Sequence, residues 1–196
     1  MKKNYLYILL RPVITFIFKA YYNPVIIGKE NIPKKNKAVI AGNHKHNFDA
    51  IFVGCSTKRN IYCLAKKELF DSIFSFFFKG VGCIPVDRTK KNDESMKTAI
   101  NYLNNENLIF IAPEGTRNKT NKTLLDFKYG EVVMAKKSNS SIIPYAITGD
   151  YRFRSKNLKI IFGKKIDISK LSIEEANKLL YKTVEELIIN SESSVK

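Results

Sequence analysis

Short apolar runs recur along the chain and are separated by stretches with helical periodicity. A run of roughly four to eight apolar residues bounded by polar or turn residues is typical of a buried strand. Such runs occupy residues 38–41, 61–65, 108–112, 142–148 and 158–162. Strands that alternate with helical patterns predict an α/β fold, here a single domain with a largely buried mixed sheet flanked by helices.

Two of the intervening segments carry clear helix signatures. Met96, Ala99 and Leu103 follow a helical period. Ser172 and Glu175 form a capping box, in which each side chain bonds the other residue's backbone N–H at the start of a helix. After that helix we expect a frayed tail from about residue 190. The predicted boundaries are an N-terminal segment 1–23, a domain 24–190 and a tail 191–196.

Residues 5–22 are mostly apolar but contain three interruptions, at Arg11, Pro12 and Lys19, and Lys2 and Lys3 precede them. No uncharged run approaches the roughly 20 residues that span a bilayer. No small-residue cleavage site follows that would mark a secretory signal. We therefore expect an amphipathic membrane-associating helix that lies in one leaflet, with its basic residues near the headgroups. A helix packed on the protein's own core is the alternative.

A second apolar concentration spans residues 70–78, where six of nine residues are Phe or Ile. Such density exceeds what one face of an amphipathic helix needs. Part of the segment is therefore predicted to meet lipid or to line a groove for an acyl chain, and packing in the core is the alternative.

The chain carries a large excess of positive charge. Thirty-four Lys and Arg against eighteen Asp and Glu give a formal net charge of +16, which favours an acidic partner. No zinc-finger, helix-turn-helix or RNA-binding signature accompanies the lysines, so nucleic acid is not predicted as a partner. An anionic membrane surface fits better, since each basic residue near such a surface contributes about 1 kcal/mol. A solvated lysine-rich surface is the alternative.

A histidine and an aspartate five positions apart follow the first apolar run. On a continuous helix His44 and Asp49 would lie roughly 140° apart. They can meet only if a strand ends near Gly42 and a helix begins near Asn47 or Phe48. The Asp49 carboxylate would then orient the His44 ring through one nitrogen and leave the other to accept a proton, as in a general-base dyad. A structural histidine is the alternative.

Three further clusters follow this pair in order. They are Gly-Cys-Ile-Pro-Val-Asp-Arg at 82–88, Pro-Glu-Gly-Thr-Arg at 113–117 and Ile-Ile-Pro-Tyr-Ala at 142–146. With residues 43–49, these clusters resemble the four sequence blocks of the lysophosphatidic acid acyltransferase family, which belongs to the glycerolipid acyltransferases. The resemblance extends from about residue 24 to residue 166, and residues 65–69 and 127–130 also look like family positions.

The resemblance implies direct transfer of an acyl chain from a thioester to the free hydroxyl of a lysophospholipid. The expected acceptor is 1-acylglycerol 3-phosphate, which gives phosphatidic acid, and the expected donor is acyl-CoA or acyl carrier protein. His44 would remove the hydroxyl proton as the oxygen attacks the thioester carbonyl, and Asp49 would orient His44 and stabilise its charge. No cofactor and no metal are expected.

The acceptor's phosphate needs cationic partners. A guanidinium group binds phosphate through two parallel hydrogen bonds that an ammonium cannot copy. Arg88 and Arg117 are therefore the candidates, with Lys66 or Lys67 as a third cation. A structural ion pair between Arg117 and Glu114 is the alternative.

Neighbouring residues complete the predicted substrate site. Glu114 would accept a hydrogen bond from the glycerol hydroxyls, and Gly115, followed by Thr116, would let backbone amides approach the substrate or the developing oxyanion. Asn43 and His46 would shape the turn or contact the substrate, and for His46 a surface position is favoured.

The three cysteines, Cys55, Cys63 and Cys83, lack the spacing of metal ligands. With only two histidines in the chain, a structural zinc site is not predicted. Reduced thiols in a cytosolic setting are the simplest interpretation. Cys55 falls in a predicted helix and is not favoured as a nucleophile.

These observations predict a bacterial-like enzyme associated with the cytoplasmic face of a membrane. A related acceptor, such as glycerol 3-phosphate or another lysolipid, would use the same dyad and remains open. A non-catalytic basic membrane-binding module would explain the charge and the N-terminal segment, but it would not need the spacing of His44 and Asp49.

Overall fold

Residues 4–87 and 93–193 are described by a computed structural model, in which seven strands form one sheet. The strands are β1 (Val25–Ile27), β2 (Ala38–Gly42), β3 (Ile61–Lys66), β4 (Cys83–Val86), β5 (Leu108–Ile111), β6 (Ser141–Thr148) and β7 (Lys159–Phe162). Their order across the sheet is β1-β7-β6-β2-β5-β3-β4. The five predicted strands are confirmed, whereas β1 and β4 were not predicted.

The sheet is mixed, as predicted. Strands β2 to β6 run parallel to one another, whereas β7 pairs antiparallel with β6 and β1 pairs parallel with β7. The carboxyl ends of five parallel strands therefore meet at one edge of the sheet. This edge is where ligands bind in open α/β sheets, and the segments that follow β2, β3, β4, β5 and β6 all begin there.

Helices cover both faces of the sheet. They are α1 (Tyr5–Tyr22), α2 (Asp49–Cys55), α3 (Ser75–Gly80), α4 (Asp93–Asn104), α5 (Gly130–Lys137) and α6 (Ile173–Ser193), and short 3-10 turns occupy Lys29–Asn31 and Lys67–Phe70. Val39 and Ile40 are neighbours on β2 and point to opposite faces, because side chains alternate along a strand. Val39 joins a core cluster with α4, α5 and α6, while Ile40 joins a second cluster with α1 and α2.

The last helix is longer than the sequence predicted. The capping box is present: Ser172 N–H donates to Glu175 Oε2 at 2.7 Å, and Glu175 N–H donates to Ser172 Oγ at 3.1 Å. The helix then continues to Ser193 instead of fraying from residue 190. Ser191 is buried, with its hydroxyl 2.9 Å from that of Thr148, which holds the last turn on β6. Residues 194–196 of the predicted tail lie outside the described residues.

Helix α1 has one face on the protein and one in solvent. Its inner face carries Phe18, which is 5% exposed and lies 5.2 Å from the ring of Phe52. Arg11, which the sequence placed near headgroups, donates to the carbonyl of Thr57 at 2.8 Å. What we call the α1 outer face consists of exposed apolar side chains at helical spacing: Tyr5, Ile8, Leu9, Val13, Phe16, Ile17 and Tyr21. The inner face therefore confirms packing on the protein's own core, while membrane association of the outer face stays a prediction.

The Phe-rich segment contains both half-buried and exposed apolar side chains. Ile73 is 85% exposed, and Phe74 and Phe76 are also exposed, whereas Phe77 and Phe78 are half-buried. A side chain at Gly80 would touch Leu6, so α3 lies against the first turn of α1. Within the described ranges, no helix combines the length and the hydropathy needed to cross a bilayer.

Candidate active site

His44 and Asp49 meet across the loop between β2 and α2. Strand β2 ends at Gly42 and α2 begins at Asp49, so the intervening loop reverses as the spacing predicted. His44 Nδ1 lies 2.8 Å from Asp49 Oδ2. The His44 side chain is 20% exposed and that of Asp49 only 1%. One imidazole nitrogen is thus held by a buried carboxylate, which is the arrangement predicted for a general-base dyad.

The Asp49 carboxylate is surrounded by donors. Oδ2 also accepts the backbone N–H groups of Lys45, at 2.8 Å, and His46, at 2.9 Å. Oδ1 accepts the hydroxyl of Tyr151 at 2.7 Å. A buried charge needs such partners, because water no longer solvates it. These bonds fix the position of the carboxylate and the shape of the loop around it.

Tyr151 was not among the site residues predicted from the sequence. It follows β6 and lies 102 positions from Asp49, and an aromatic residue after a strand gave no local sign of this contact. Burial, together with the negative charge of Asp49, raises the pKa of Tyr151. The hydroxyl therefore keeps its proton and remains a donor to Asp49.

The start of the loop is fixed to β6. A side chain at Gly42 would place its Cβ 2.0 Å from the carbonyl oxygen of Tyr145, so only glycine allows β2 and β6 to approach this closely. Asn43 is buried, and its amide both donates to and accepts from the backbone of Ile147, at 2.9 and 2.8 Å. Of the two roles predicted for Asn43, this arrangement favours shaping the turn over contacting the substrate.

Glu114 holds the backbone of His44. One oxygen accepts the N–H of His44 at 2.7 Å and the other accepts the N–H of Leu125 at 2.9 Å. Glu114 is buried, and this burial raises the pKa of its carboxyl group. Asn118 N–H donates to the carbonyl of His44 at 2.9 Å. The 113–117 cluster and the residue after it therefore support the dyad from both sides of His44, a role that the sequence analysis did not predict.

Arg117 is close to the dyad and is not paired with Glu114. It is half-buried and immediately precedes Asn118, whose N–H bonds His44. Among the described residues, ion pairs join His44 to Asp49, Lys67 to Asp87 and Lys182 to Glu186. The alternative of an Arg117–Glu114 ion pair is therefore wrong.

The remaining predicted cations differ in their surroundings. Lys66 ends β3 at the same edge of the sheet and is exposed. Lys67 is exposed but lies 4.0 Å from Asp87, which partly neutralises it. Arg88 lies outside the described residues.

Gly115 adopts a left-handed conformation, with φ of 68°. Its N–H donates to the carbonyl of Ala112 at 3.0 Å, so this amide is used within the turn and not held free for an oxyanion. A side chain at Gly115 would lie 3.0 Å from the end of Lys128, which brings that ammonium group beside the turn. Thr116 is exposed on the same turn. Lys128 is thus a further cation at the site, for which the sequence analysis had assigned no role.

The three cysteines are free thiols. Cys55 is the last residue of α2, at the opposite end of that helix from Asp49. Cys63 and Cys83 are partners on neighbouring strands, with their sulfurs 3.1 Å apart. The part of the chain that the structure describes contains no group of three or more His, Cys, Asp or Glu arranged to hold a metal ion.

Comparison with known proteins agrees with this geometry. Residues 23–148 match the family model described as Acyltransferase. The chain belongs to the acyltransferase family. This acyltransferase is 31% identical over 147 residues to the 1-acyl-sn-glycerol-3-phosphate acyltransferase of Bacillus subtilis, with 72% of each chain covered. It is 32% identical over 147 residues to the protein of the same name from Borreliella burgdorferi, with 74% of this chain and 58% of that one covered.

The fold of the acyltransferase is also found in a solved structure. The crystal structure of the 1-acyl-sn-glycerophosphate (LPA) acyltransferase, PlsC, from Thermotoga maritima superposes with a TM-score of 0.76 at 21% identity. The superposition covers 94% of this chain and 79% of that one. At this identity the likeness concerns the fold, which includes the mixed sheet and its helices.

Proposed function

We propose that this acyltransferase transfers a fatty acyl chain from a thioester to the free hydroxyl of 1-acylglycerol 3-phosphate. The observation that carries the proposal is the 2.8 Å contact between His44 Nδ1 and the buried Asp49 carboxylate. It leaves Nε2 as a base at the carboxyl edge of the sheet. The names of the relatives from Bacillus and Borreliella support the choice of acceptor. The donor is acyl-CoA or acyl carrier protein.

Each step of the transfer uses the dyad. The acceptor hydroxyl gives its proton to His44 Nε2 while its oxygen attacks the thioester carbonyl, and Asp49 stabilises the imidazolium that forms. The tetrahedral intermediate then collapses, breaking the carbon–sulfur bond. The leaving thiolate takes the proton from His44, so a new ester, a free thiol and the neutral imidazole of His44 beside the Asp49 carboxylate result.

The acceptor's phosphate is proposed to bind among the cations at this edge of the sheet. Arg117 precedes the residue that bonds His44, Lys128 lies beside Gly115, and Lys66 ends β3. Arg88 is retained as a proposed partner from the sequence. With +16 net charge the surface attracts both the anionic acceptor and either acidic donor.

We further propose that the α1 outer face lies in the surface of an anionic membrane on the cytoplasmic side. Seven exposed apolar residues on one helix are more than a surface helix in water needs. Ile73, Phe74 and Phe76 are further exposed apolar side chains, and the end of α3 lies against the first turn of α1. Apolar burial and the attraction of basic residues to anionic lipid both favour this arrangement.

Thioester cleavage by the purified protein tests the proposed reaction. Acyl-CoA and acyl carrier protein donors are combined with 1-acylglycerol 3-phosphate, glycerol 3-phosphate and other lysolipids, and thiol release is followed together with the lipid product by mass spectrometry. The proposal requires phosphatidic acid to be the main product and its rate of formation to fall by about 10²–10⁴-fold with His44→Ala protein. Faster transfer to glycerol 3-phosphate or to a different lysolipid would reassign the acceptor.

A further inference from the structure

Tyr151 contacts the dyad from outside the segment that matches the family. The match ends at residue 148, and Tyr151 lies in the loop between β6 and β7. Its hydroxyl donates to Asp49 Oδ1 at 2.7 Å. Its ring stacks on His46, with centroids 4.5 Å apart and planes inclined by 23°. Tyr151 thus touches the aspartate of the dyad and a residue of the dyad loop.

We propose that Tyr151 is a positioning residue for acyl transfer, and that it acts through its hydroxyl on Asp49. A carboxylate can rotate about its bond to Cβ, and the bond from Tyr151 to Oδ1 holds the rotation in which Oδ2 faces His44 Nδ1. Correct orientation of a general base within its reach of the substrate is a large part of its effect on rate. The inference rests on the proposed role of His44 as the base.

The position of Tyr151 is itself fixed by α1. The Tyr151 ring lies 5.6 Å from that of Tyr22 and 6.5 Å from that of Phe18. The same loop is tied to the end of α1 by a hydrogen bond of 2.8 Å from Arg154 N–H to the carbonyl of Tyr21. The hydroxyl is therefore presented to Asp49 from a packed aromatic cluster and not from a freely moving loop.

A merely structural Tyr151 would contribute through its ring, and two substitutions separate the ring from the hydroxyl. Tyr151→Phe removes the hydrogen bond and keeps the ring contacts with His46, Tyr22 and Phe18. Tyr151→Leu removes both. Tyr102→Phe is a matched control, because Tyr102 stacks on Tyr62 in the other core cluster, away from Asp49.

Steady-state kinetics give the first readout. A misoriented catalytic group lowers the rate of a step without weakening substrate binding, so Tyr151→Phe should lower kcat by about tenfold and leave the KM of the acceptor within about twofold. Tyr151→Leu should lower kcat at least as much, and Tyr102→Phe should match the wild type. Wild-type kcat for Tyr151→Phe, with loss only in Tyr151→Leu, would overturn the proposal in favour of ring packing.

Nuclear magnetic resonance gives a readout that does not depend on activity. The chain has only two histidines, so the ring N–H signals of 15N-histidine-labelled protein are few, and the His44 signal is identified by its absence in His44→Gln protein. Tyr151→Phe should shift or broaden the Nδ1–H signal of His44, while Tyr102→Phe should leave it unchanged. An unchanged signal would overturn the proposal. If the wild type transferred no acyl chain, the proposed function would fail, but this measurement would still test the link between Tyr151 and His44.

Discussion

The carboxylate of Glu114 accepts a hydrogen bond of 2.7 Å from the backbone N–H of His44. These residues are 70 positions apart and follow neighbouring strands, β5 and β2. The second oxygen of Glu114 accepts the N–H of Leu125, so one buried side chain joins the dyad to the loop that carries Arg117. Glu114 therefore holds the backbone of the dyad loop through both of its oxygens, and its contact with a glycerol hydroxyl stays a prediction.

Replacing Glu114 should disturb both stability and rate. Glu114→Ala leaves two backbone donors without their acceptor, and each lost partner costs about 1–3 kcal/mol if the donor stays buried. We expect a lower free energy of unfolding and a lower kcat, with little change in the KM of the acceptor. Glu114→Gln, which can accept through one oxygen only, should be intermediate. Urea denaturation and steady-state kinetics measure these effects, and Glu174→Ala, on the exposed first turn of α6, is the control. A selective rise in KM would instead support contact with the substrate.

Loss of the dyad should remove the reaction and spare binding. General acid–base catalysis contributes about 10²–10⁴-fold, so His44→Ala should lower kcat by that order while the protein still binds lysolipid. Asp49→Asn should also be severe, because an amide can hold the wrong tautomer of His44 and does not stabilise the imidazolium. The two losses should not add in the double variant, since the residues act as a unit.

His46→Ala is the matched control for the dyad, because His46 bonds Asp49 through its backbone N–H, which alanine retains. We expect a mild effect from the lost stacking on Tyr151. Acyl transfer at the wild-type rate by His44→Ala protein would refute the mechanism.

Arg117 should affect the acceptor and not the fold. Arg117→Ala should raise the KM of the acceptor or lower kcat/KM, and Arg117→Lys should restore only part of the loss, because an ammonium cannot form the two parallel bonds of a guanidinium. The melting temperature should stay unchanged, since Arg117 is not paired with Glu114 among the described residues. Lys137→Ala is the control for net charge, because it also removes one positive charge but lies at the C-terminal end of α5. Unaltered acceptor kinetics in Arg117→Ala would exclude the phosphate contact.

Glu131 should make the stability depend on pH. It is fully buried in the first turn of α5, neither carboxylate oxygen has a hydrogen-bond partner among residues 4–87 and 93–193, and burial raises its pKa from 4.5 to about 8. Below pH 4.5 the group is neutral in both states. As pH rises from 4.5 to about 8, the unfolded chain loses this proton while the folded chain keeps it, so the free energy of unfolding should fall by roughly 4–5 kcal/mol.

Glu131→Gln should abolish this part of the pH dependence. The amide has nearly the same shape and does not ionise, so the variant should be more stable than the wild type near pH 8 and similar near pH 4.5. Urea denaturation at both ends of this window measures the difference. Glu174→Gln, at an exposed position, is the control. An equal change in the free energy of unfolding across this pH window in wild type and Glu131→Gln would contradict the prediction. It would show that Glu131 ionises in the folded protein as it does in the unfolded chain.

Charges on the α1 outer face should weaken membrane binding. Leu9 and Phe16 are 71% and 74% exposed, so Leu9→Glu and Phe16→Glu together should leave the fold intact and reduce sedimentation with anionic vesicles. High salt should weaken wild-type binding only in part, because it screens charges and does not remove apolar burial. Ile189→Glu, at an exposed position of α6, is the control. Equal sedimentation of the doubly substituted protein and the wild type would place the membrane contact elsewhere.

The sequence was most informative where a feature is local. The strands with continuous apolar runs, the capping box at Ser172 and the turn between His44 and Asp49 each depend on residues close together in the chain. Strands β1 and β4 were not predicted because they are short edge strands without a continuous buried apolar run. Two residues of β1 are exposed, and β4 contains Pro85. The contacts of Glu114 with His44 and of Tyr151 with Asp49 were not predicted because the partners are 70 and 102 positions apart in the chain. No spacing rule applies over such separations.

The inner face of α1 has a practical consequence for anyone who wants a water-soluble form of this enzyme. Phe18 fills a space against Phe52, Arg11 bonds Thr57, and the carbonyl of Tyr21 holds the loop of Tyr151. A shortened chain beginning at Pro24 would lose these contacts, uncover the second core cluster and release the aromatic support of Asp49. Helix α1 is therefore part of the packed fold and cannot be deleted without loss of these contacts. Replacing the residues of the α1 outer face with polar ones is a better way to raise solubility than removing the helix.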